Sequence, residues 1–113
     1  MPAPQARMTD TLIRLETTIR ERRASDPALS YVARLTHAGR AKIAQKLGEE
    51  AVEAVIAAVA DDRHGVISES ADVLFHLAVL LADMGIPMTD VLAELDRREG
   101  VSGLTEKANR GAH

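Results

Sequence analysis

Two long stretches of this chain are apolar on almost every side, and this feature most restricts how it can fold. Between Ala51 and Ala60 the only polar residue is Glu53, and between Val73 and Ala82 it is His76. Aromatic residues make up only 2% of the 113 residues, so the core must be aliphatic, which favours helices over a sheet. Helices that are apolar all round are buried on more than one side. The sequence therefore predicts an all-α fold of four to five helices, with the bundle completed by homodimerisation.

Capping and helix-breaking residues divide the chain into five helical segments. Asp10 is expected to cap the first helix, Gly39 to stop the second and Gly85 to end the fourth. A polar turn over Asp61–Gly65 is expected between the third and fourth helices. The expected helices cover residues 11–24, 30–38, 40–60, 66–84, and from 89 or 90 to near 100. Residues 1–8 are expected to form a disordered tail, and residues 9–110 a single domain.

Composition excludes several classes of protein. The net charge is −3 with no basic excess, which argues against nucleic-acid binding. The absence of cysteine excludes disulfides and thiolate zinc sites. Uninterrupted apolar runs such as Leu77–Ala82 are far shorter than the ~20 residues of a membrane span, and the N-terminus has no hydrophobic signal region. A cytoplasmic protein without a membrane partner is therefore expected.

Five carboxylates lie at helical spacing on the third and fourth expected helices: Glu49, Glu50, Glu53, Glu69 and Asp72. If these helices pack antiparallel through a short turn, the carboxylates face one another. Two unit charges ~4 Å apart repel by roughly 4 kcal/mol at an effective dielectric of 20, so such a cluster is costly without a cation. Oxygen-only ligation favours Mg²⁺, with Mn²⁺ as the alternative. The pattern therefore indicates a metal site for phosphate chemistry.

The competing interpretation is a solvated, salt-bridged helix face, because Lys42 and Lys46 share the side of the third helix that carries the glutamates. Glu53 argues against it, since this residue interrupts an apolar run. Asp72 does too, since aspartate is a poor residue for a helix interior. His76 is either a metal ligand or, more in keeping with an apolar helix, a hydrogen-bonded supporting residue.

Local motifs carry a resemblance to known enzymes. Lys46–Glu53 (KLGEEAVE) and Glu69–Leu81 (ESADVLFHLAVLL) resemble the all-α NTP pyrophosphatase superfamily, the MazG-like group. Three further segments narrow the resemblance to the phosphoribosyl-ATP pyrophosphatase family of histidine biosynthesis: Ser30–Leu35 (SYVARL), Lys42–Lys46 (KIAQK) and Ser102–Lys107 (SGLTEK).

This resemblance implies an all-α, Mg²⁺-dependent homodimer, or a dimer of dimers, that converts phosphoribosyl-ATP to phosphoribosyl-AMP and pyrophosphate. It implies that the metal ligands are Glu49, Glu50, Glu53, Glu69 and Asp72. It makes Glu50 and Glu53 the catalytic candidates. The substrate-binding candidates are Ser30, Tyr31, Arg34, Lys42 and Lys46, although Ser30 and Tyr31 also suit helix capping and packing.

Two alternatives remain open from the residues alone. One is a housekeeping pyrophosphatase that clears non-standard NTPs with the same metal cleft. The other is a non-catalytic helical oligomerisation module in which the carboxylates form only a charged face.

Overall fold

A computed structural model describes the backbone of residues 4–99 and the side chains of residues 10–99. This part of the chain forms five helices and no strand, which confirms the all-α prediction. The helices are α1 (Pro4–Arg22), α2 (Tyr31–Ala38), α3 (Arg40–Val59), α4 (Arg63–Asp83) and α5 (Met88–Glu99). The Ser102–Lys107 motif lies outside the described residues.

The helices α3 and α4 form an antiparallel hairpin, and the other helices pack around one end of it. α1 packs against α4 and α5, and α2 contacts α1, α3 and α4. Every helix contributes to one buried cluster, whose members are Ile19, Val32, Leu35, Ile43, Ala78, Val79 and Met88. The fully buried part of the core is aliphatic, as the scarcity of aromatic residues predicts.

The turn between α3 and α4 is tighter than the sequence suggests. Asp61 adopts a left-handed conformation, with φ at 57°, and the N–H groups of Asp61 and Asp62 bond back to carbonyls in the last turn of α3. The Asp62 carboxylate then caps α4 by accepting a bond from the Gly65 N–H at 2.9 Å. The helix α4 therefore begins at Arg63 rather than near residue 66. One residue, Asp62, thus closes one helix and opens the next.

Most of the other predicted helix ends are confirmed. Ser30 caps α2 by accepting from the Ala33 N–H at 3.2 Å, and Gly39 and Gly85 end α2 and α4 with φ values of 105° and 69°. The expected role of Asp10 is wrong, because α1 already begins at Pro4 and Asp10 lies inside it. The tail expected over residues 1–8 therefore overlaps the first part of α1.

Polar contacts fix the ends of the bundle. The Met88 N–H, at the start of α5, donates to the Glu16 carboxylate of α1 at 2.5 Å. Asp83, at the end of α4, accepts from Arg40 of α3 at 2.9 Å and from Arg23 at 3.4 Å. These contacts join α1 to α5, and they join the start of α3 and the residue after α1 to the end of α4.

Large apolar side chains remain exposed on both helices of the hairpin. These hairpin stripes comprise Val52, Val55, Ile56, Val59, Ile67 and Leu74. Within residues 4–99, α4 is the one helix whose length and composition would suffice to cross a membrane. It also packs along α3 and carries Glu69 and Asp72, and carboxylates are costly inside a bilayer. The hairpin stripes are therefore apolar surface that this subunit itself leaves uncovered.

Candidate active site

The hairpin brings three of the predicted metal ligands together. One carboxylate oxygen from each of Glu50, Glu69 and Asp72 lies within 4.8 Å of the other two. Glu69 and Asp72 share a face of α4 because they are three residues apart, and Glu50 faces them from α3. Oxygens around one divalent cation are separated by up to about 4–5 Å, so this set is compatible with a single ion.

The electrostatics of this cluster also fit a cation. The pKa of Glu69 is raised to about 7, first by hydrogen bonding with Glu50, then by burial and by the neighbouring Glu53. Ionised carboxylates only accept hydrogen bonds, so Glu69 can bond to Glu50 or Glu53 only when the pair holds a proton. In the described part of the chain the buried Glu69 Oε2 has no hydrogen-bond donor. A divalent cation would satisfy this oxygen and remove the repulsion between the carboxylates.

The Glu49 side chain contacts residues of α3 rather than the other carboxylates. Its carboxylate accepts from Gln45 Nε2 at 2.9 Å and lies 3.3 Å from Lys46 Nζ. The pKa of Glu49 is lowered, first by Gln45, then by Lys46, with a smaller effect from Lys42. Glu49 is therefore beside the three converging oxygens rather than among them, and its role as a metal ligand stays a prediction.

The two lysines lie on the same side of α3 as the glutamates. The pKa of Lys46 is raised, first by its bond with Glu49 and then by the neighbouring Tyr31 phenol, with a smaller effect from Glu50. Lys46 is therefore near both Glu49 and the Tyr31 phenol at the start of α2. Lys42 lies close enough to Glu49 to stabilise its charge. The arrangement places positive charge beside the carboxylates, as binding of a polyphosphate requires.

The substrate-binding candidates of α2 occupy its first turn. The Ser30 side chain is buried and serves as the helix cap. The ring of Tyr31 stacks on Phe75 of α4, with centroids 6.1 Å apart and an interplanar angle of 20°. The exposed Arg34 directs Nε toward the carbonyl oxygen of Pro27, 3.4 Å away. Capping and packing thus account for Ser30 and part of Tyr31, whereas the charge of Arg34 is not paired with a carboxylate in the contacts described.

His76 makes the hydrogen bonds expected of a supporting residue, the second of the two roles predicted for it, and that role stays a prediction. It is buried, its Nδ1 lies 2.7 Å from the carbonyl oxygen of Asp72, and its Nε2 lies 3.0 Å from the Tyr31 hydroxyl. It is not one of the residues whose oxygens or nitrogens converge with Glu50 and Glu69.

Sequence reasoning missed two residues of the site, Gln45 and Phe75. The i,i+4 spacing of Gln45 and Glu49 could have identified the first, because side chains at that spacing meet on a helix. Phe75 is the one aromatic residue besides Tyr31, which is a weak signal that the two rings pack together.

Comparisons with known proteins identify the family to which the chain belongs. Residues 12–99, which include every candidate site residue, match the model of the family described as phosphoribosyl-ATP pyrophosphohydrolase. The chain belongs to this family. It is therefore an enzyme, and a hydrolase, rather than a non-catalytic helical module.

Named relatives match nearly the whole chain. The phosphoribosyl-ATP pyrophosphatase of Rhizorhabdus wittichii is 69% identical over 103 residues, which cover 91% of this chain and 97% of the relative. That of Novosphingobium aromaticivorans is 58% identical over 101 residues, 89% of this chain and 94% of the relative. That of Rhodobacter capsulatus is 53% identical over 100 residues, 88% of this chain and 97% of the relative.

Proposed function

We propose that the chain hydrolyses phosphoribosyl-ATP to phosphoribosyl-AMP and pyrophosphate in a Mg²⁺-dependent reaction, the second step of histidine biosynthesis. The observation that carries the proposal is the convergence of Glu50, Glu69 and Asp72 within 4.8 Å, together with the buried Glu69 oxygen that lacks a hydrogen-bond donor among the described residues. The relatives named phosphoribosyl-ATP pyrophosphatase support the choice of substrate. Mn²⁺ is the expected substitute ion, because it also prefers oxygen ligands.

The proposed ion would be held by Glu50, Glu69 and Asp72, with Glu49 and Glu53 as further predicted ligands. When bound, Mg²⁺ supplies positive charge to the phosphate oxygens and makes water a better nucleophile. Lys42 and Lys46 hold the remaining phosphate charge.

The chain's own residues position water and substrate. Water adds to one phosphorus of the α–β anhydride, its proton passes to a carboxylate, and pyrophosphate leaves. Glu50 and Glu53 are the candidates for that carboxylate. Glu53 is exposed and lies beside Glu69, whereas Glu50 is 9% exposed and belongs to the converging set. The first turn of α2, with Ser30, Tyr31 and Arg34, binds the phosphoribosyl arm.

The proposed active form is a cytoplasmic homodimer or dimer of dimers. The hairpin stripes support it, because burial of apolar surface is worth roughly 25 cal/mol per Å² and a single subunit leaves these residues exposed. A second copy of the chain offers the same apolar stripes and can cover them across a two-fold axis.

A nucleotide panel tests the proposed function. Pyrophosphate release is measured from phosphoribosyl-ATP, ATP and dUTP, each with Mg²⁺, with Mn²⁺ and with EDTA. We expect phosphoribosyl-ATP to be the preferred substrate and EDTA to abolish turnover. Preference for dUTP would instead identify a housekeeping pyrophosphatase, and turnover in EDTA would refute the metal dependence.

Matched variants connect the activity to the carboxylate cluster. Glu50→Gln removes a charge from the converging set and should nearly abolish turnover. Glu94→Gln is the control, because the Glu94 carboxylate pairs with Arg97 and Arg98 on α5 instead. Equal activity in the two variants would place the reaction outside the cluster.

A further inference from the structure

A single chain of hydrogen bonds links the first turn of α2 to the helix that bears two of the proposed metal ligands. The His76 Nδ1 lies 2.7 Å from the Asp72 carbonyl oxygen, and a carbonyl can only accept, so Nδ1 carries the proton. In the neutral imidazole Nε2 is then an acceptor. The Tyr31 hydroxyl, 3.0 Å away, therefore donates to Nε2.

These contacts hold an exposed ring in one orientation. Tyr31 is 42% exposed, although its ring stacks on Phe75 and meets the His76 ring edge to face at a centroid distance of 5.8 Å. His76 itself is only 5% exposed, so it does not present a surface of its own to a ligand. The phenol is thus fixed at the start of α2, near enough to Lys46 to raise the pKa of that lysine.

We propose that His76 is a positioning residue for substrate binding: it holds Tyr31, and with it the first turn of α2, in place against the phosphoribosyl arm. This inference rests on the proposed function of the site. The bond to Asp72 involves the backbone carbonyl, so it orients the imidazole and leaves the Asp72 carboxylate unchanged. Loss of the Tyr31–His76 bond therefore weakens binding of phosphoribosyl-ATP without changing the requirement for metal.

Two substitutions of His76 separate its two hydrogen bonds. The His76→Gln side chain carries its amide near the position of Nε2 and can still accept from Tyr31. The His76→Asn side chain carries its amide near the position of Nδ1, so it can reach the Asp72 carbonyl but not Tyr31. Tyr31→Phe removes the same Tyr31–His76 bond from the other side and changes only one oxygen atom.

Steady-state kinetics with phosphoribosyl-ATP test the proposal. We expect Tyr31→Phe and His76→Asn to raise KM about three- to tenfold, the effect of one neutral hydrogen bond. The kcat and the Mg²⁺ concentration for half-maximal rate should stay within about twofold of wild type, and His76→Gln should restore KM. The double variant Tyr31→Phe/His76→Asn should be no worse than either single variant, because both remove one bond.

Several outcomes would overturn the proposal. One is an unchanged KM in Tyr31→Phe, and another is additive losses in the double variant. A lower kcat with a raised Mg²⁺ requirement would show that His76 acts on the metal site instead. If His76→Asn does not fold, as circular dichroism would show, Tyr31→Phe and His76→Gln still decide the question.

The histidine tautomer gives a readout that needs no substrate. The ¹⁵N chemical shifts of the His76 ring in the metal-free protein should show a protonated Nδ1 and a bare Nε2, and Tyr31→Phe should shift the Nε2 resonance. A neutral ring with the proton on Nε2 and none on Nδ1 would overturn the proposal, because it could not donate to the Asp72 carbonyl. Failure of the proposed function would appear separately, as a lack of phosphoribosyl-ATP turnover by the wild-type protein in the nucleotide panel.

Discussion

Glu69 is the single residue that most strongly links the metal site to the stability of the fold. Its ordinary pKa is 4.5, and in the folded chain it is about 7. The folded state therefore binds this proton more tightly than the unfolded state does. This contribution to stability is complete below a pH of about 4.5, declines as the pH rises, and is lost above about 7.

We accordingly predict a pH-dependent stability of the metal-free protein that depends on Glu69. In EDTA, the Tm of wild type should fall between about pH 5 and 7.5, and Mg²⁺ should raise it most at the upper end. Glu69→Gln should reduce this fall, because an amide does not ionise. Glu99→Gln, an exposed residue at the end of α5, is the control, and the prediction is wrong if both variants match wild type.

Arg34 and Lys46 are expected to recognise different parts of the substrate. Phosphoribosyl-ATP carries a 5′-phosphate that ATP lacks, and Arg34 lies on α2, whereas Lys46 pairs with Glu49 beside the cluster. Arg34→Ala should lower kcat/KM for phosphoribosyl-ATP by about 10- to 100-fold, the value of a charge-assisted bond, and lower that for ATP much less. Lys46→Ala should lower both alike. If Arg34→Ala keeps the wild-type preference for phosphoribosyl-ATP over ATP, the 5′-phosphate is bound by other residues.

At the scale of the helices, Gly48 and Gly65 form a matched pair for testing where a helix needs the absence of a side chain. A Cβ on Gly48 would meet no atom within 4 Å, so the subunit itself does not need this glycine in the middle of α3. A Cβ on Gly65 would collide with the Asp62 carboxylate that caps α4. The α4 cap therefore requires glycine at position 65, whereas nothing within the subunit requires it at position 48.

Gly48→Ala should stabilise the protein by about 1 kcal/mol, the difference in helix propensity, and Gly65→Ala should destabilise it by about 1 kcal/mol through loss of the cap. Urea denaturation measures both. A stabilised Gly48→Ala with impaired turnover would show that substrate or a second subunit approaches the backbone just before Glu49 and Glu50. Stabilisation by Gly65→Ala would contradict the capping role of Asp62.

Helix ends were predictable from sequence where the local backbone needs a side-chain cap or a positive φ, because few residue types supply either. Ser30 can cap a helix, and Gly39 and Gly85 tolerate positive φ, so these ends follow from the sequence. The start of α4 did not, because Asp61 adopts a left-handed conformation that glycine usually takes, and Asp62 then caps α4 at Arg63. The start of α1 was missed because Asp10 suits a helix cap but also tolerates a place inside a helix.

At the scale of the whole molecule, the hairpin stripes predict that the folded chain is an obligate homodimer. Ile56→Glu places a charge in the stripe of α3 and should produce a monomeric, poorly folded or insoluble protein. Leu95→Glu is the matched control, since Leu95 is similarly exposed, at 56% against 62%, but lies on α5. Analytical ultracentrifugation at micromolar concentration decides, and a stable folded wild-type monomer would refute the prediction.

The sequence predicted the carboxylate site better than it predicted the surroundings of that site. Glu69 and Asp72 share a face through their spacing alone, and a short turn makes the two helices antiparallel, which places the glutamates of α3 near them along the hairpin. The bond between Tyr31 and His76 joins residues 45 apart, and no local rule predicts such a contact. Glu49 contacts Gln45 and Lys46 because of the rotamer that its side chain adopts, and helical spacing does not determine rotamers.

The double use of Asp62 has a consequence for insertions and deletions. Exposed turns ordinarily tolerate changes in length, and Asp61 and Asp62 are both exposed. Here one added residue would turn α4 by about 100° relative to α3, since an α-helix has 3.6 residues per turn. Glu69 and Asp72 would then face away from Glu50 even if both helices still formed. This surface turn therefore sets the rotational phase of the metal site, and its length should be kept constant in any redesign of the enzyme.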